Sequence, residues 1–173
     1  MMTTRRKAGF TLIELIIAVA ILFMMVAIAM PLFASVIAQS RLTAAVQRVA
    51  ADLRFAQSRA VTQGDWHRLH SGADGAVGKP GQYRLERSVD GVVWVPLDQS
   101  SWYNLSMDYQ GSSLQAVTDF ANSPVPGFDV RFNSRGAIDN VGVGSAGIKL
   151  TVLAETGATG TIQVMRTGAV RIQ

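Results

Sequence analysis

The chain of 173 residues contains no cysteine and only two histidines. Disulfides, thiolate nucleophiles and cysteine-ligated metal sites are therefore excluded. Charged residues make up 16% of the chain, against about 25% in a typical soluble domain. No charged residue lies between Leu15 and Ser40. The shortage of charge is thus concentrated in one long uncharged stretch near the N-terminus.

The formal net charge of +4 does not by itself indicate a nucleic-acid-binding surface. Arg5, Arg6 and Lys7 supply three of the 16 positive charges. Without residues 1–9, 13 basic residues face 12 acidic ones, which leaves +1. A basic group directly before an apolar stretch is typical of a membrane-topology signal.

The core of the uncharged stretch, from Leu15 to Phe33, is long enough to span a bilayer as a helix. The basic N-terminus should then be cytoplasmic and the rest of the chain should lie on the other side. A plain membrane anchor and a signal peptide cleaved after "VIA", before Gln39, are two further interpretations. Neither accounts for Glu14 at the start of the apolar stretch.

The segment "KAGFTLIELIIAVAIL" combines a glycine, an aromatic residue, a hydroxyl residue, two apolar residues and an acid at fixed spacing. It resembles the leader of type IV pilins and of type II secretion pseudopilins. The resemblance implies that prepilin peptidase cleaves between Gly9 and Phe10 on the cytoplasmic side. It also implies that the same enzyme methylates the new amine of Phe10.

Glu14 has a physical explanation within this resemblance. A carboxylate in the apolar part of a membrane costs a few kcal/mol unless an opposite charge compensates it. Cleavage would create a positive amine four residues before Glu14, and that amine on one subunit could pair with Glu14 of a neighbour. The alternative is that the Glu14 side chain reaches the headgroup region.

Pro31 lies inside the apolar stretch. A proline within a helix removes a backbone hydrogen bond and kinks the helix. Many pilin-like proteins carry a helix breaker near this point, so Pro31 is a candidate kink. An ordinary membrane proline, tolerated without a functional role, is the alternative.

Helical periodicity continues beyond the membrane stretch. One apolar stripe repeats at spacings of four and three residues: Leu42, Val46, Val49, Leu53, Ala56 and Ala60. Arg41, Arg48, Asp52 and Arg59 lie off this stripe and are expected to be mostly solvated. The pattern predicts one helix from about Thr11 to about Thr62, stopped near Gly64.

The remaining chain is predicted to be β-rich. "QYRLERSV" and "VVWVPL" flank Asp90-Gly91 as a hairpin. "FDVRFNSRGAI" places Phe128, Val130 and Phe132 on one face before a turn at Gly136, and "GIKLTVLAE" and "GTIQVMRTGAVRI" are late strands. The segment from Gln110 to Pro126 is polar and poorly patterned, which indicates a surface loop with at most a short turn of helix.

The second half of the chain also resembles one group within the pilin-like proteins. "VAADLRFAQSRAVTQG" is similar to the end of the first helix in minor pseudopilins and minor pilins of the GspH/FimT family. Arg59 stands where an acid is common in that group. "VRFNSRGAI" and "VMRTGAVRI" resemble the strand-turn element and the closing strand of the group.

Other motifs do not indicate catalysis. Gly142, Gly144 and Gly147 have the spacing of a dinucleotide-binding loop, but a strand pattern follows where a helix is required. "GAVGKP" lacks the spacing of a phosphate-binding loop. His67 and His70 have no acidic or thiol cluster to complete a metal site. The three tryptophans are interpreted as core or packing residues: Trp66, Trp94 and Trp102.

Arg166 and Arg171 are candidate DNA contacts. Some FimT-like minor pilins serve DNA uptake through a C-terminal motif of the form G-R-x-R. This chain has "GAVR", so the first arginine is missing and only Arg171 matches. Because phosphate binding relies on several cations acting together, solvated strand residues are the simpler interpretation.

The sequence therefore predicts an α+β protein in which a long N-terminal helix packs on an antiparallel β-sheet head. Four segments are expected: a leader (1–9), a membrane-spanning half of the helix (10–33), an amphipathic half (34–63) and a periplasmic β-rich head (64–173). The resemblance implies a non-enzymatic minor pilin or pseudopilin with no cofactor and no metal. It would be anchored in the bacterial inner membrane before it assembles into a filament.

The partners that the resemblance implies are other pilins through the first helix, prepilin peptidase and the inner-membrane assembly platform. A DNA receptor on such a filament is the alternative function. The sequence does not distinguish a type IV pilus from a type II secretion system.

Overall fold

A computed structural model describes residues 10–72, 79, 81–97, 102–125, 129–139 and 146–173. The chain divides into two units, Met1–Ile37 and Ala38–Gln173. Helix α1 (Leu12–Gln63) contributes residues to both units, and antiparallel strands follow it in the second unit. The predicted α+β class is confirmed.

Helix α1 begins and ends within one residue of its predicted bounds. Gly64 ends it: φ at Gly64 is 76°, and its N–H donates to the carbonyl of Ala60 at 3.0 Å. Such a left-handed glycine after the last turn is a common helix stop. The six residues of the predicted apolar stripe are all buried.

The first sheet has the strand order β3-β2-β1-β6, and β4 also pairs with β2. All its pairs are antiparallel. The strands are β1 (Trp66–Ser71), β2 (Gln82–Ser88), β3 (Val95–Pro96), β4 (Tyr103–Asn104) and β6 (Asp129–Phe132). The short helix α2 (Leu105–Asp108) follows β4 directly.

The second sheet has the strand order β5-β7-β8-β9 and is also antiparallel. Its strands are β5 (Ser113–Asp119), β7 (Gly147–Leu153), β8 (Thr159–Met165) and β9 (Val170–Ile172).

One apolar core in the second unit joins α1 to both sheets. The first sheet contributes Leu69, Tyr83, Val130 and Phe132, and the second contributes Leu114, Val117, Ile148, Leu150, Val152, Ile162 and Val164. At Gly160 on β8, an added Cβ atom would lie 2.3 Å from Cγ2 of Val46 on α1. The helix and β8 can approach this closely only because position 160 has no side chain.

The predicted loop from Gln110 to Pro126 is wrong, because β5 lies within it. Leu114 and Val117 of β5 are both buried although they are three residues apart. The strand register shifts between Leu114 and Ala116, which indicates a β-bulge. A bulge inserts one extra residue and breaks the alternation by which a strand is predicted.

Two further predictions need adjustment. The Asp90-Gly91 hairpin is confirmed, but residues 89–94 form its loop rather than a two-residue turn. "GTIQVMRTGAVRI" forms two strands, β8 and β9, because the chain turns at Gly168, where φ is 90°.

Asp52 is not a freely solvated residue, which corrects another prediction. Its Oδ2 accepts a hydrogen bond of 2.6 Å from the hydroxyl of Tyr83, a buried core residue on β2. Arg48 forms an ion pair with the same oxygen at 3.2 Å. Asp52 thus connects α1 to the first sheet, a role that the helical pattern alone does not reveal.

Candidate functional site

The start of α1 carries the candidate assembly residue Glu14. The N–H of Glu14 donates to the side-chain oxygen of Thr11 at 3.3 Å and to its carbonyl at 3.1 Å. Thr11 directly precedes the helix and therefore occupies its N-cap position. A threonine at the N-cap with a glutamate three residues later has the spacing of a capping box. Glu14 thus also has a local role in the helix, which the sequence analysis missed although "TLIE" shows it.

The charge of Glu14 also suits its position in the helix. The first turn of a helix favours a negative side chain by about 0.3–1 kcal/mol at an exposed site. This local gain is smaller than the few kcal/mol that an unpaired carboxylate costs within a membrane. The cap alone would therefore not offset the cost of Glu14 in a membrane.

The helix around Glu14 exposes its large apolar side chains. Every large apolar side chain that the structure describes between Phe10 and Ile37 is solvent-accessible, and examples are Ile17, Phe23 and Met30. Among the described residues, α1 is the one helix long and apolar enough to cross a membrane. A helix that is apolar on all sides needs lipid or other helices around it.

The other N-terminal candidates are only partly described. Phe10 is exposed at the start of the described chain. Gly9 and the basic leader residues lie outside the described residues, as do Gly142, Gly144 and the "GAVG" segment. Pro31 lies within α1 and is exposed. The kink at Pro31 stays a prediction.

Arg166 directly follows β8 and Arg171 lies on β9 opposite Gln163, and both arginines are exposed. The structure places two further exposed arginines beside them. Arg54 on α1 donates to the carbonyl of Val170 at 3.4 Å. Arg135 lies in the turn after β6, where Ile138 donates its N–H to the carbonyl of Arg166 at 3.1 Å.

These four residues, Arg54, Arg135, Arg166 and Arg171, are called the arginine cluster below. No ion pair of the cluster is found in the described part of the chain. Arg54 and Arg135 could not be identified from sequence patterns, because their approach to the C-terminus depends on contacts between residues far apart in sequence.

Gln57 on α1 fixes the two turns that carry part of this cluster. Its Nε2 donates to the carbonyl of Gly136 at 2.9 Å. An added Cβ atom at Gly168 would lie 1.9 Å from that carbonyl oxygen and 2.2 Å from Nε2 of Gln57. Gly168, part of the "GAVR" segment, is therefore required by packing, whether or not the segment binds DNA.

A buried ion network lies across the first sheet. Arg68 on β1 binds Glu86 at 2.5 Å and Asp129 at 2.7 Å, and both carboxylates are fully buried. Arg84 pairs with Glu86 and Arg131 pairs with Asp129, so each acid contacts two arginines. Breaking such a network would leave an uncompensated buried charge, which is strongly destabilising. The network thus has a structural role.

Trp94 and Trp102 pack on this network rather than in the apolar core. The ring of Trp94 lies 4.2 Å from the guanidinium of Arg68, and that of Trp102 lies 4.7 Å from that of Arg84. Both residues are packing residues, as predicted. They pack on arginine guanidinium groups as cation–π partners.

His67 and His70 do not converge on one site. They are three residues apart on β1, and side chains at odd spacings on a strand point to opposite faces. His70 stacks on Trp102 with ring centroids 5.6 Å apart. Among the described residues, no group of three or more His, Asp or Glu side chains could hold a metal ion.

Comparisons with known proteins bear on the N-terminal segment and the fold. Residues 4–30 match the family model described as the prokaryotic N-terminal methylation motif. No curated protein sequence matches the chain significantly.

Two solved structures are similar to this one. The type IV minor pilin FimU of Pseudomonas aeruginosa has a TM-score of 0.53 at 13% identity, covering 78% of this chain and 90% of FimU. The minor pseudopilin EpsH from the type II secretion system of Vibrio cholerae has a TM-score of 0.57 at 10% identity, covering 78% of this chain and 96% of EpsH.

The chain is pilin-like in both its N-terminal motif and its fold. The resemblance inferred from "KAGFTLIELIIAVAIL" is thereby confirmed. At 10–13% identity the two structural likenesses establish the fold of this pilin-like chain and nothing more specific. One neighbour belongs to a type IV pilus and the other to a type II secretion system, so the fold does not distinguish the two machines.

Proposed function

We propose that this chain is a minor pilin or pseudopilin of the GspH/FimT type. The observation that supports this most directly is a methylation motif at the start of a helix whose first half has exposed apolar residues and carries Glu14 as its single acid. In this proposal prepilin peptidase cleaves after Gly9 and methylates Phe10. The protein is held by residues 10–33 in the bacterial inner membrane, with its head in the periplasm.

Assembly would follow from the physical properties of α1. The exposed apolar residues of α1 pack against the corresponding helices of other pilins, delivered by the inner-membrane assembly platform. The amine of Phe10 on one subunit pairs with Glu14 of its neighbour, which sets the axial position of the incoming subunit. Because the acid is costly in the membrane until it is paired, the pair favours docking at one position.

Glu14 variants test this mechanism and separate it from helix capping. Glutamine also suits this capping position, so Glu14→Gln retains the cap and removes the charge. We expect Glu14→Gln and Glu14→Ala to insert and to be cleaved normally, and both to be largely lost from the filament fraction. The measurement is immunoblotting of membrane and sheared-filament fractions from the source bacterium.

The matched control is Thr11→Ala, which removes the capping hydroxyl and keeps the charge of Glu14. This variant should assemble nearly as well as the unmodified protein. Normal assembly of Glu14→Gln together with poor assembly of Thr11→Ala would mean that Glu14 acts through the cap and not through a charge pair.

An in-frame deletion in the source bacterium would assign the machine. Loss of surface pili with intact protein secretion would assign the chain to a type IV pilus. Loss of secretion with intact pili would assign it to a type II pseudopilus.

A second candidate function is a DNA receptor on the filament. The observation in its favour is the arginine cluster, because it adds Arg54 and Arg135 to Arg166 and Arg171, and none of the four forms an ion pair with a described residue. Phosphate binding by several cations acting together is the general mode of DNA attachment. The small net charge outside residues 1–9 weighs against this candidate.

A further inference from the structure

The loop between β2 and β3 and the first residue of β3 expose a group of apolar side chains in the second unit. Val89, Val92, Val93 and Val95 are 79%, 78%, 65% and 44% exposed. They are called the valine loop below. Contiguous exposed apolar side chains on a folded domain commonly mark an interaction site.

The valine loop is ordered internally by Asp90. One carboxylate oxygen of Asp90 accepts hydrogen bonds from the N–H groups of Val92 and Val93, both at 2.9 Å, and from the hydroxyl of Ser88 at 2.8 Å. These bonds, those from Val93 and Val92 first, lower the pKa of Asp90 to about 2. The bonds therefore persist at any physiological pH.

Packing contacts hold the loop from outside. An added Cβ atom at Gly91, where φ is 74°, would lie 3.5 Å from the indole ring of Trp66. Trp94, at the end of the loop, lies over Arg68 and Arg131. A loop ordered before binding loses little conformational entropy when a partner docks, which favours association.

A shallow groove of about 330 Å³ lies beside the valines, and Val89, Val93, Val95 and Arg87 help to line it. Arg87 is exposed and has no ion pair or side-chain hydrogen bond among the described residues. Asp90 also lines the groove, and its Oδ1 is occupied by the hydrogen bonds from Ser88, Val92 and Val93. The groove is therefore suited to an apolar side chain next to a carboxylate that can pair with Arg87.

The same chain exposes such a pair of side chains on helix α2. Met107 is 81% exposed, more than any residue of the valine loop, and Asp108 follows it. The helix is fixed by Asn104, which accepts a hydrogen bond from the N–H of Ser106 at 3.0 Å. Tyr103 donates to one oxygen of Asp108 and leaves the other available.

The two features lie at opposite ends of β2. Strand β4, which leads into α2, pairs with Gln82 and Tyr83, whereas the valine loop starts after Ser88. Six residues of strand separate these ends by about 20 Å. Within one chain, α2 therefore does not fill the groove beside the valines.

We propose that the valine loop binds α2 of a second copy of this chain, with Met107 in the groove and Asp108 paired with Arg87. Such a contact joins two different surfaces, and so it repeats from copy to copy in a head-to-tail row. A lipid surface is a poorer partner, because insertion of the loop would carry the ionised Asp90 into the membrane. This inference does not depend on the proposed function.

Cysteine cross-linking of the full chain in detergent tests this contact, and the chain contains no native cysteine. The two variants are Val93→Cys and Met107→Cys, each purified alone and then mixed under mild oxidation. We expect a disulfide-linked dimer in the mixture and little dimer from either variant alone. Each variant carries a single cysteine, so every disulfide joins two chains, and it forms only where the Cα atoms come within about 7 Å.

The matched control replaces Val93→Cys by Ile172→Cys, an exposed apolar residue outside the loop. Arg87→Glu in the Val93→Cys chain should reduce the dimer, and Asp108→Lys in the Met107→Cys chain should restore it. Equal cross-linking of the Ile172→Cys control would overturn the proposal. Dimers of Val93→Cys alone that match the mixture would also overturn it, since the valine loops would then bind each other.

Discussion

His67 is a buried histidine on β1, and neither of its ring nitrogens makes a hydrogen bond of normal geometry with any residue that the structure describes. Burial lowers the pKa of His67 below its usual 6.5, the nearby Asp65 opposes this shift, and Arg59 and Arg87 add to it. The folded protein therefore binds fewer protons at this site than the unfolded chain. The stability that a neutral His67 provides is present above about pH 6.5 and decreases as the pH falls towards the folded pKa.

We predict that replacing His67 by leucine flattens the pH dependence of stability. Between about pH 7 and pH 5, the melting temperature of the unmodified protein should fall more steeply than that of His67→Leu. Asp65→Asn should fall more steeply still, because it removes a charge that favours the protonated ring. Thermal melting followed by circular dichroism at a series of pH values measures all three. Parallel curves for the unmodified protein and His67→Leu would contradict the account.

At the scale of elements, Gln57 on α1 contacts the two turns that contain Gly136 and Gly168. We predict that Gly168→Ala lowers the free energy of unfolding by about 2–4 kcal/mol, from left-handed backbone strain and from overpacking. The new Cβ atom would overlap the carbonyl oxygen of Gly136 and Nε2 of Gln57. Urea denaturation measures the loss.

Gly157→Ala is the matched control for this prediction. Its φ of 83° imposes similar strain, but nothing lies within 4 Å of its added Cβ atom. The difference between the two variants isolates the cost of the close contact. Similar losses in both would show that backbone strain alone accounts for the effect.

The elements differ in how well the sequence predicts them. Helix α1 is predicted within one residue at each end, because its stripe is regular and Gly64 provides a local stop. Strand β5 is missed, because a bulge places Leu114 and Val117 on one face at a spacing that no strand template includes. Local periodicity identifies an element only where its backbone is regular.

At the scale of the whole molecule, the arginine cluster is the candidate DNA-binding surface. If the arginine cluster binds DNA, the logarithm of the affinity should fall with the logarithm of the salt concentration at a slope of about −3 to −4, since each phosphate contributes about −0.9. Arg54→Gln and Arg166→Gln should each reduce the slope by about one. Fluorescence anisotropy of the full chain in detergent with a labelled duplex provides the measurement.

Arg41→Gln is the control, because Arg41 is exposed on α1 but does not belong to the cluster. It should leave the slope nearly unchanged. Absence of binding at low salt would remove the DNA-receptor candidate. An equal change in all three variants would point to non-specific attraction by total charge.

The candidate sites also differ in how far the sequence predicts them. The segment from Gly9 to Glu14 is predictable, because its residues are adjacent and their spacing carries the signal. The arginine cluster and the contacts of Gln57 are not predictable from periodicity. They join α1 to the turn at Gly136 and to Val170 on β9, which are 79 and 116 residues away in sequence. Only the packing of α1 on both sheets brings these groups together.

The close approach of Val46 to Gly160 has a mechanical consequence. Because Gly160 has no side chain, the isopropyl group of Val46 occupies the space above it on β8. Movement of Val46 along the strand would bring it into steric conflict with neighbouring residues that carry side chains. A force applied along the axis of α1 would act on three contacts at the same time. These are the packing of Val46 on Gly160, the Asp52–Tyr83 hydrogen bond and the Gln57–Gly136 hydrogen bond. Force would thus pass from the helix into both sheets as shear shared among several contacts, so that the head resists being drawn off its own helix.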